Sequence, residues 1–274
     1  MLRTAARVTL VCLSFGGAAP VWALEAQEAE LLDAIAMPEI VEIMRLEGLD
    51  YAETLGADML PLGAADTWRQ TADRLYDTQA MEARVAEGFA ASLPDEEAPE
   101  LLSFYETELG QKVARLEVEA REAMLDDGVE EDARQAYRDL KESGDARLDR
   151  IEQFVAANDL VESNVSGALN ATLRFYQGLS EGGMLPLTEE EILSDVWSQE
   201  EAVREDTGEW VYAFLLLAYG PLTEEEFATF LEMSGTEAGQ ALNRALFAGF
   251  NGMYDDLSYA IGLGLAEAAQ GTDL

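Results

Sequence analysis

The sequence predicts an all-α protein, with two tandem, internally related helical-bundle domains after a cleavable signal peptide. Three observations carry this expectation. Apolar residues recur at steps of three and four nearly throughout, and no sustained alternation of β-branched residues interrupts them. Short motifs recur in the same order at an offset of about 125 residues. The first 23 residues follow the order of a secretory signal. The expected parts are a signal peptide at 1–23, a first helical domain at 24–157 and a second at 158–274.

The N-terminal reading rests on Arg3 and Arg7, then the apolar run Val8–Phe15, then small residues ending Val21-Trp22-Ala23. Cleavage is expected after Ala23, which places the protein in the periplasm or outside the cell. The apolar run is too short to span a bilayer, which takes about 20 residues. No later segment is long enough either, so no transmembrane segment is expected in the mature chain.

In the first copy, Leu102, Tyr105 and Leu109 form one helical stripe, and Val113, Leu116, Ala120 and Met124 form the next. Ala133, Tyr137, Leu140, Gly144, Leu148, Ile151 and Val155 continue it. In Leu93-Pro94-Asp95-Glu96-Glu97, Asp95 is the expected helix cap. Thr107 is expected to start a helix after a sharp bend, with Gly110 in its first turn, where a side chain would collide with the preceding helix. Ala157-Asn158-Asp159 is the expected joint between the copies.

The second copy repeats this order. Tyr51 and Met59-Leu60-Pro61-Leu62 return as Tyr176 and Met184-Leu185-Pro186-Leu187, an offset of 125. Phe104-Tyr105-Glu106 pairs with Phe230-Leu231-Glu232 at 126, and Thr107–Gln111 with Thr236–Gln240 at 129. Trp68 and Trp197 also differ by 129. Thr188 with Glu191, and Thr223 with Glu226, have capping-box spacing. Phe247, Phe250, Tyr254, Leu257, Ile261 and Leu265 form the last stripe.

The segment Phe104-Tyr105-Glu106-Thr107-Glu108-Leu109-Gly110-Gln111-Lys112 resembles the hallmark of the domain of unknown function 2059 family, an aromatic-Tyr pair followed by Ser or Thr and then Gly-Gln-Lys. The resemblance implies an exported bacterial protein with helical domains and implies no activity. The second copy departs from the hallmark: Leu231 stands for Tyr105, Ala241 for Lys112, and three extra residues precede Thr236.

Composition narrows the chemistry. Against 55 acidic residues stand 17 basic ones and no histidine, a net charge of −38. Removing residues 1–23 leaves 15 basic residues and a net charge of −40. Such a surface repels nucleic acid, so no nucleic-acid partner is expected. Without histidine, and with its single Cys12 inside the signal, the mature chain has no Ser-His-Asp or Cys-His catalysis and no thiolate zinc site. The acidic runs Glu189–Glu191 and Glu224–Glu226 lack the spacing of a calcium loop, so no metal and no cofactor are expected. Phe104, Tyr105, Thr107, Gly110, Gln111, Phe230, Thr236, Gly239 and Gln240 are read as a structural motif, with no catalytic residue assigned.

The expected function is a non-enzymatic binding or scaffolding module whose partner is an envelope protein, peptide or lipid. The rival readings are an apolar-ligand carrier, with a cavity lined by the C-terminal helices, and a hydrolase using two facing carboxylates.

Overall fold

The computed structural model describes residues 21–61 and 63–271, and among them it has helices and no strand. In chain order the helices are α1 (Val21–Ala34), α2 (Met37–Met59), α3 (Ala65–Leu75), α4 (Thr78–Ala90), α5 (Ala98–Tyr105), α6 (Glu108–Ala123) and α7 (Asp127–Ser143). They continue as α8 (Arg147–Ala157), α9 (Leu160–Glu181), α10 (Glu189–Ser198), α11 (Glu200–Tyr219), α12 (Glu224–Ser234) and α13 (Glu237–Gln270). The expected signal core at Val8–Phe15 lies outside the described residues.

Local chemistry explains most helix starts. Thr188 and Thr223 each accept from the backbone N–H three residues on, and Glu191 and Glu226 reach back to the cap N–H, closing both expected capping boxes. Asp77, Asp126, Thr107 and Thr236 cap α4, α7, α6 and α13 in the same manner. The cap expected at Asp95 is a correction. Helix α5 begins three residues later, behind Glu97, with no side-chain cap. Pro99 near its start, whose missing N–H needs no partner, favours the later beginning.

The chain turns sharply into α2 at Ala36 and into α9 at Asp159, where φ is 58° and 50°. These are the only non-glycine residues with positive φ among the described ones. The second turn falls at the expected joint after Ala157.

Apolar packing runs across residue 157. One core joins Leu31, Val41, Val85, Phe89 and Leu101 from the first half to Leu242, Ala245, Met253, Ile261 and Leu265 of α13. A second joins Val113, Ile151 and Phe154 to Val211, Leu215, Tyr219, Phe227 and Phe230. A smaller one links Val165 and Leu169 of α9 to Ile192 and Val196 of α10. Glycines let α13 approach its neighbours backbone to backbone. A Cβ at Gly262 would lie 2.2 Å from the Phe175 carbonyl oxygen on α9, and one at Gly249 would lie 2.6 Å from that of Val85 on α4. Long helices that meet this closely bury nearly their whole facing surfaces, which is why α13 serves helices of both halves.

Trp68 and Trp197 separate here. Trp68 is 2% exposed, and its indole N–H donates to the Ala52 carbonyl over 2.6 Å. Trp197, on α10, is 62% exposed. Equal spacing in sequence therefore does not give them equal places, because Trp68 is the fourth residue of α3 and Trp197 the ninth of α10.

Candidate functional site

The bends at Thr107 and Thr236 are built alike. Thr107 Oγ1 donates to the Phe104 carbonyl over 2.6 Å and accepts from Gly110 N over 3.1 Å. Thr236 Oγ1 donates to the Met233 carbonyl over 2.7 Å and accepts from Gly239 N over 3.0 Å. A Cβ on Gly110 would lie 2.3 Å from the Phe104 oxygen, and one on Gly239 would lie 2.4 Å from the Met233 oxygen. Both glycines are required because backbone, not a movable side chain, fills the space. The hydrogen bonds align Phe104 with Met233 and Tyr105 with Ser234, at the offset of 129 that already relates the threonines. The pairing of Phe104 with Phe230, and the three extra residues it needed, is thereby corrected. Those two rings instead stack on each other, with centroids 6.2 Å apart.

The first bend buries Tyr105 and launches α6 toward α11. Spacing along α6 does the rest. Glu117 stands four residues after the fully buried Val113, on the apolar face, and Arg121 stands four after Glu117. These two, with Tyr105, Asn164, Trp210, Phe214, Tyr219, Phe230, Gly239 and Asn243, line a half-open pocket of about 220 Å³.

The Tyr219 hydroxyl donates to Glu117 Oε1 over 2.6 Å. Glu117 Oε2 accepts no hydrogen bond among the described residues, and the side chain keeps contactable surface because it faces the cavity. Burial raises the Glu117 carboxyl to about 7, opposed by the Tyr219 hydrogen bond, which favours the anion. Burial also pushes the Tyr105 and Tyr219 hydroxyls up, with the nearby Glu117 adding to it. Both phenols are therefore neutral donors at physiological pH.

Arg121 is committed elsewhere. It forms a fork with Glu47 of α2, at 2.8 Å from Nε to Oε1 and 2.6 Å from Nη2 to Oε2. Its guanidinium lies 5.3 Å from the Trp210 ring centroid, and Trp210 stacks on Phe214 at 5.3 Å. Glu117 is the one carboxylate among the described residues lining this cavity. A hydrolytic pair needs a second acid facing it across about 5–10 Å.

The motif residues read from the sequence divide accordingly. Tyr105, Phe230 and Gly239 reach the cavity. Phe104 packs edge-on to Tyr105 at 5.2 Å, and Thr107, Gly110 and Thr236 build the bends. Gln111 is exposed, its Nε2 facing the Glu106 carbonyl at 3.5 Å, and Gln240 donates its backbone N–H to the Thr236 carbonyl. Sequence reasoning passed over Glu117 and Arg121, and took Trp210–Tyr219 only as a buried helix or an apolar groove. The available signal was a carboxylate at helical spacing inside the Val113–Met124 stripe.

A larger cleft, about 730 Å³ and half open, lies between α2 and α3. Leu49, Leu60, Trp68 and Ala72 form its apolar floor, and Asp50, Glu53, Arg69 and Asp73 its charged rim. The apolar-carrier reading calls for a cavity of several hundred Å³ lined by the C-terminal helices. Those helices line the pocket of about 220 Å³ and, through Phe175 and Tyr176 of α9 with Ser258 and Ile261 of α13, a second of about 360 Å³, while Trp210–Tyr219 is largely occupied in packing against α6, α7 and α9.

Residues 79–139 match the family model of DUF2059, described as an uncharacterized protein conserved in bacteria. The DUF2059 segment runs from α4 into α7 and holds the first bend, Tyr105, Glu117 and Arg121. Tyr219 and Trp210, which complete the DUF2059 segment's cavity wall, come from outside it. No curated protein and no solved structure matches the chain. Among the described residues no group of three or more acidic, His or Cys side chains is placed to hold a metal ion, and no helix is long and apolar enough to cross a membrane.

Proposed function

We propose that the chain is an exported protein of the bacterial envelope, formed from two copies of one helical unit, and that it acts as a non-enzymatic binding or scaffolding module. The signal-like residues 1–23 support export, and the matching bends at Thr107 and Thr236 support duplication. The observation that carries the binding role is the α2–α3 cleft. At about 730 Å³ it falls within the range of about 300–1,000 Å³ usual for ligand sites, and an apolar floor with a few charged groups at the rim is their usual lining.

The same cleft favours one second reading, a carrier of an apolar ligand such as a lipid or apolar peptide segment. It suits that role by its Trp68 floor. Binding of the neutral apolar fluorophore N-phenyl-1-naphthylamine tests the cleft. The mature chain should show saturable enhancement with one site. Ala57→Phe, at an exposed cleft position on α2, should abolish it without changing the melting temperature. No saturable site, or a site indifferent to Ala57→Phe, removes the observation on which the reading rests.

A further inference from the structure

We propose that the half-open pocket beside Glu117 is a binding site for a small organic ammonium ion, with Glu117 as counter-charge and the surrounding aromatic rings as walls. This site is separate from the α2–α3 cleft, so each stands or falls alone.

Size comes first. Apolar cavities of about 150 Å³ accept a benzene ring, so about 220 Å³ takes a ligand of about six to ten non-hydrogen atoms.

The polar inventory decides the charge. Asn164 Nδ2 donates to the Leu160 carbonyl over 2.7 Å, and Asn243 Nδ2 donates to Asn158 Oδ1 over 2.7 Å and to the Gly239 carbonyl over 3.1 Å. Each amide thus gives at least one N–H to the protein. Their side-chain oxygens, like Glu117 Oε2, accept nothing among the described residues. Arg121 spends two donors and its planar face on Glu47 and Trp210. Beside the Tyr105 hydroxyl and the Trp210 indole N–H, the lining thus offers three acceptors with no protein donor among the described residues, and of these only Glu117 can carry charge, which a cationic donor would meet.

The walls agree. Tyr219 meets Phe154 and Phe230 with centroids 5.5 and 5.2 Å apart, whereas Trp210, stacked on Phe214, already carries the Arg121 guanidinium. Ring faces attract cations and repel anions. The net charge of −38 raises the local concentration of any cation before it enters.

The charged and titratable groups facing Glu117 are few. They are Tyr219 from α11, Tyr105 from α5, and Arg121 from its own helix, neutralised by Glu47 of α2 and flanked by Tyr254 of α13. From α12, Glu226 is held by Lys112 over 2.8 Å. A bound ammonium stabilises the Glu117 anion, so binding expels the proton that Glu117 partly holds near neutrality.

Calorimetric titration of the mature protein with n-butylammonium chloride tests the proposal, with sodium butyrate as the length-matched anion. Saturable one-site binding of butylammonium is expected near pH 8, weakening about tenfold or more near pH 5 as the proton competes, with no butyrate site. Near pH 7 the apparent enthalpy should change with buffer ionisation enthalpy, reporting the released proton. Glu117→Gln should lose the site, whereas Tyr219→Phe, which keeps ring and carboxylate, should retain it. Absence of saturable binding by the folded wild type near pH 8 overturns the proposal. So does equal binding by wild type and Glu117→Gln, or binding without proton release.

Discussion

The Tyr219 hydroxyl reaches Glu117 Oε1 over 2.6 Å from a position 102 residues away in the chain, joining α11 to α6 at the wall of the half-open pocket. The bond does not offset the burial of the acid, whose carboxyl stays near 7 against an ordinary 4.5. Between those values the folded chain holds its proton more tightly than the unfolded one. Stability from this group therefore falls as pH rises through the window, and the cost is complete above about pH 7. Glu117→Gln keeps an oxygen for Tyr219 and removes the charge. The variant should be more stable than wild type by about 1–3 kcal/mol near pH 8 and equal to it near pH 4, measured by urea unfolding at both.

The two bends offer a paired test. Gly110→Ala and Gly239→Ala each force a Cβ onto backbone, 2.3 and 2.4 Å from a carbonyl oxygen. Each should cost about 1–3 kcal/mol, since the helix must shift bodily to relieve the contact. Gly208→Ala, where a Cβ would have open space, should be neutral or slightly stabilising through helix propensity. Thermal unfolding of the three proteins separates close packing from a general loss of glycine.

Trp68→Ala and Trp197→Ala should differ sharply. The first empties a buried site and orphans the Ala52 carbonyl from its indole partner, at about 3–5 kcal/mol. The second removes a ring that is 62% exposed and should stay within about 0.5 kcal/mol. Chemical denaturation of both variants checks the contrast.

Salt should stabilise the fold. Surface pairs such as Arg84–Asp256 at 2.7 Å are weakened by screening, but 55 acidic residues against 17 basic ones leave repulsion dominant. The melting temperature should rise by several degrees between low salt and about 0.5 M sodium chloride. A fall would show that ion pairs outweigh the net charge.

Export predicts a defined N-terminus. Mass spectrometry of the protein recovered from a bacterial envelope fraction should find a chain beginning at Leu24, with the mass of residues 24–274. A retained Met1 in that fraction contradicts cleavage after Ala23.

Helix content, helix starts and the two bends were legible because they depend on neighbours along the chain. Periodicity reports one face of a helix, and a threonine followed three residues later by glutamate caps its own turn, whatever packs above it. Asp95 misled because a nearby proline outweighed it. The equivalence of Phe104 and Phe230 misled because residue type was matched where hydrogen bonds set the register.

By itself, the sequence determined an acidic, helical chain without histidine and with one cysteine, Cys12, and with paired Thr-Gly bends. Only tertiary structure decided which tryptophan is buried, which of 55 acids lines the aromatic pocket between α6 and α11, and that α13 packs against helices from both halves. The reason is physical. Burial and pKa depend on groups brought together from distant parts of the chain, and no local pattern around Glu117 names Tyr219 as its partner.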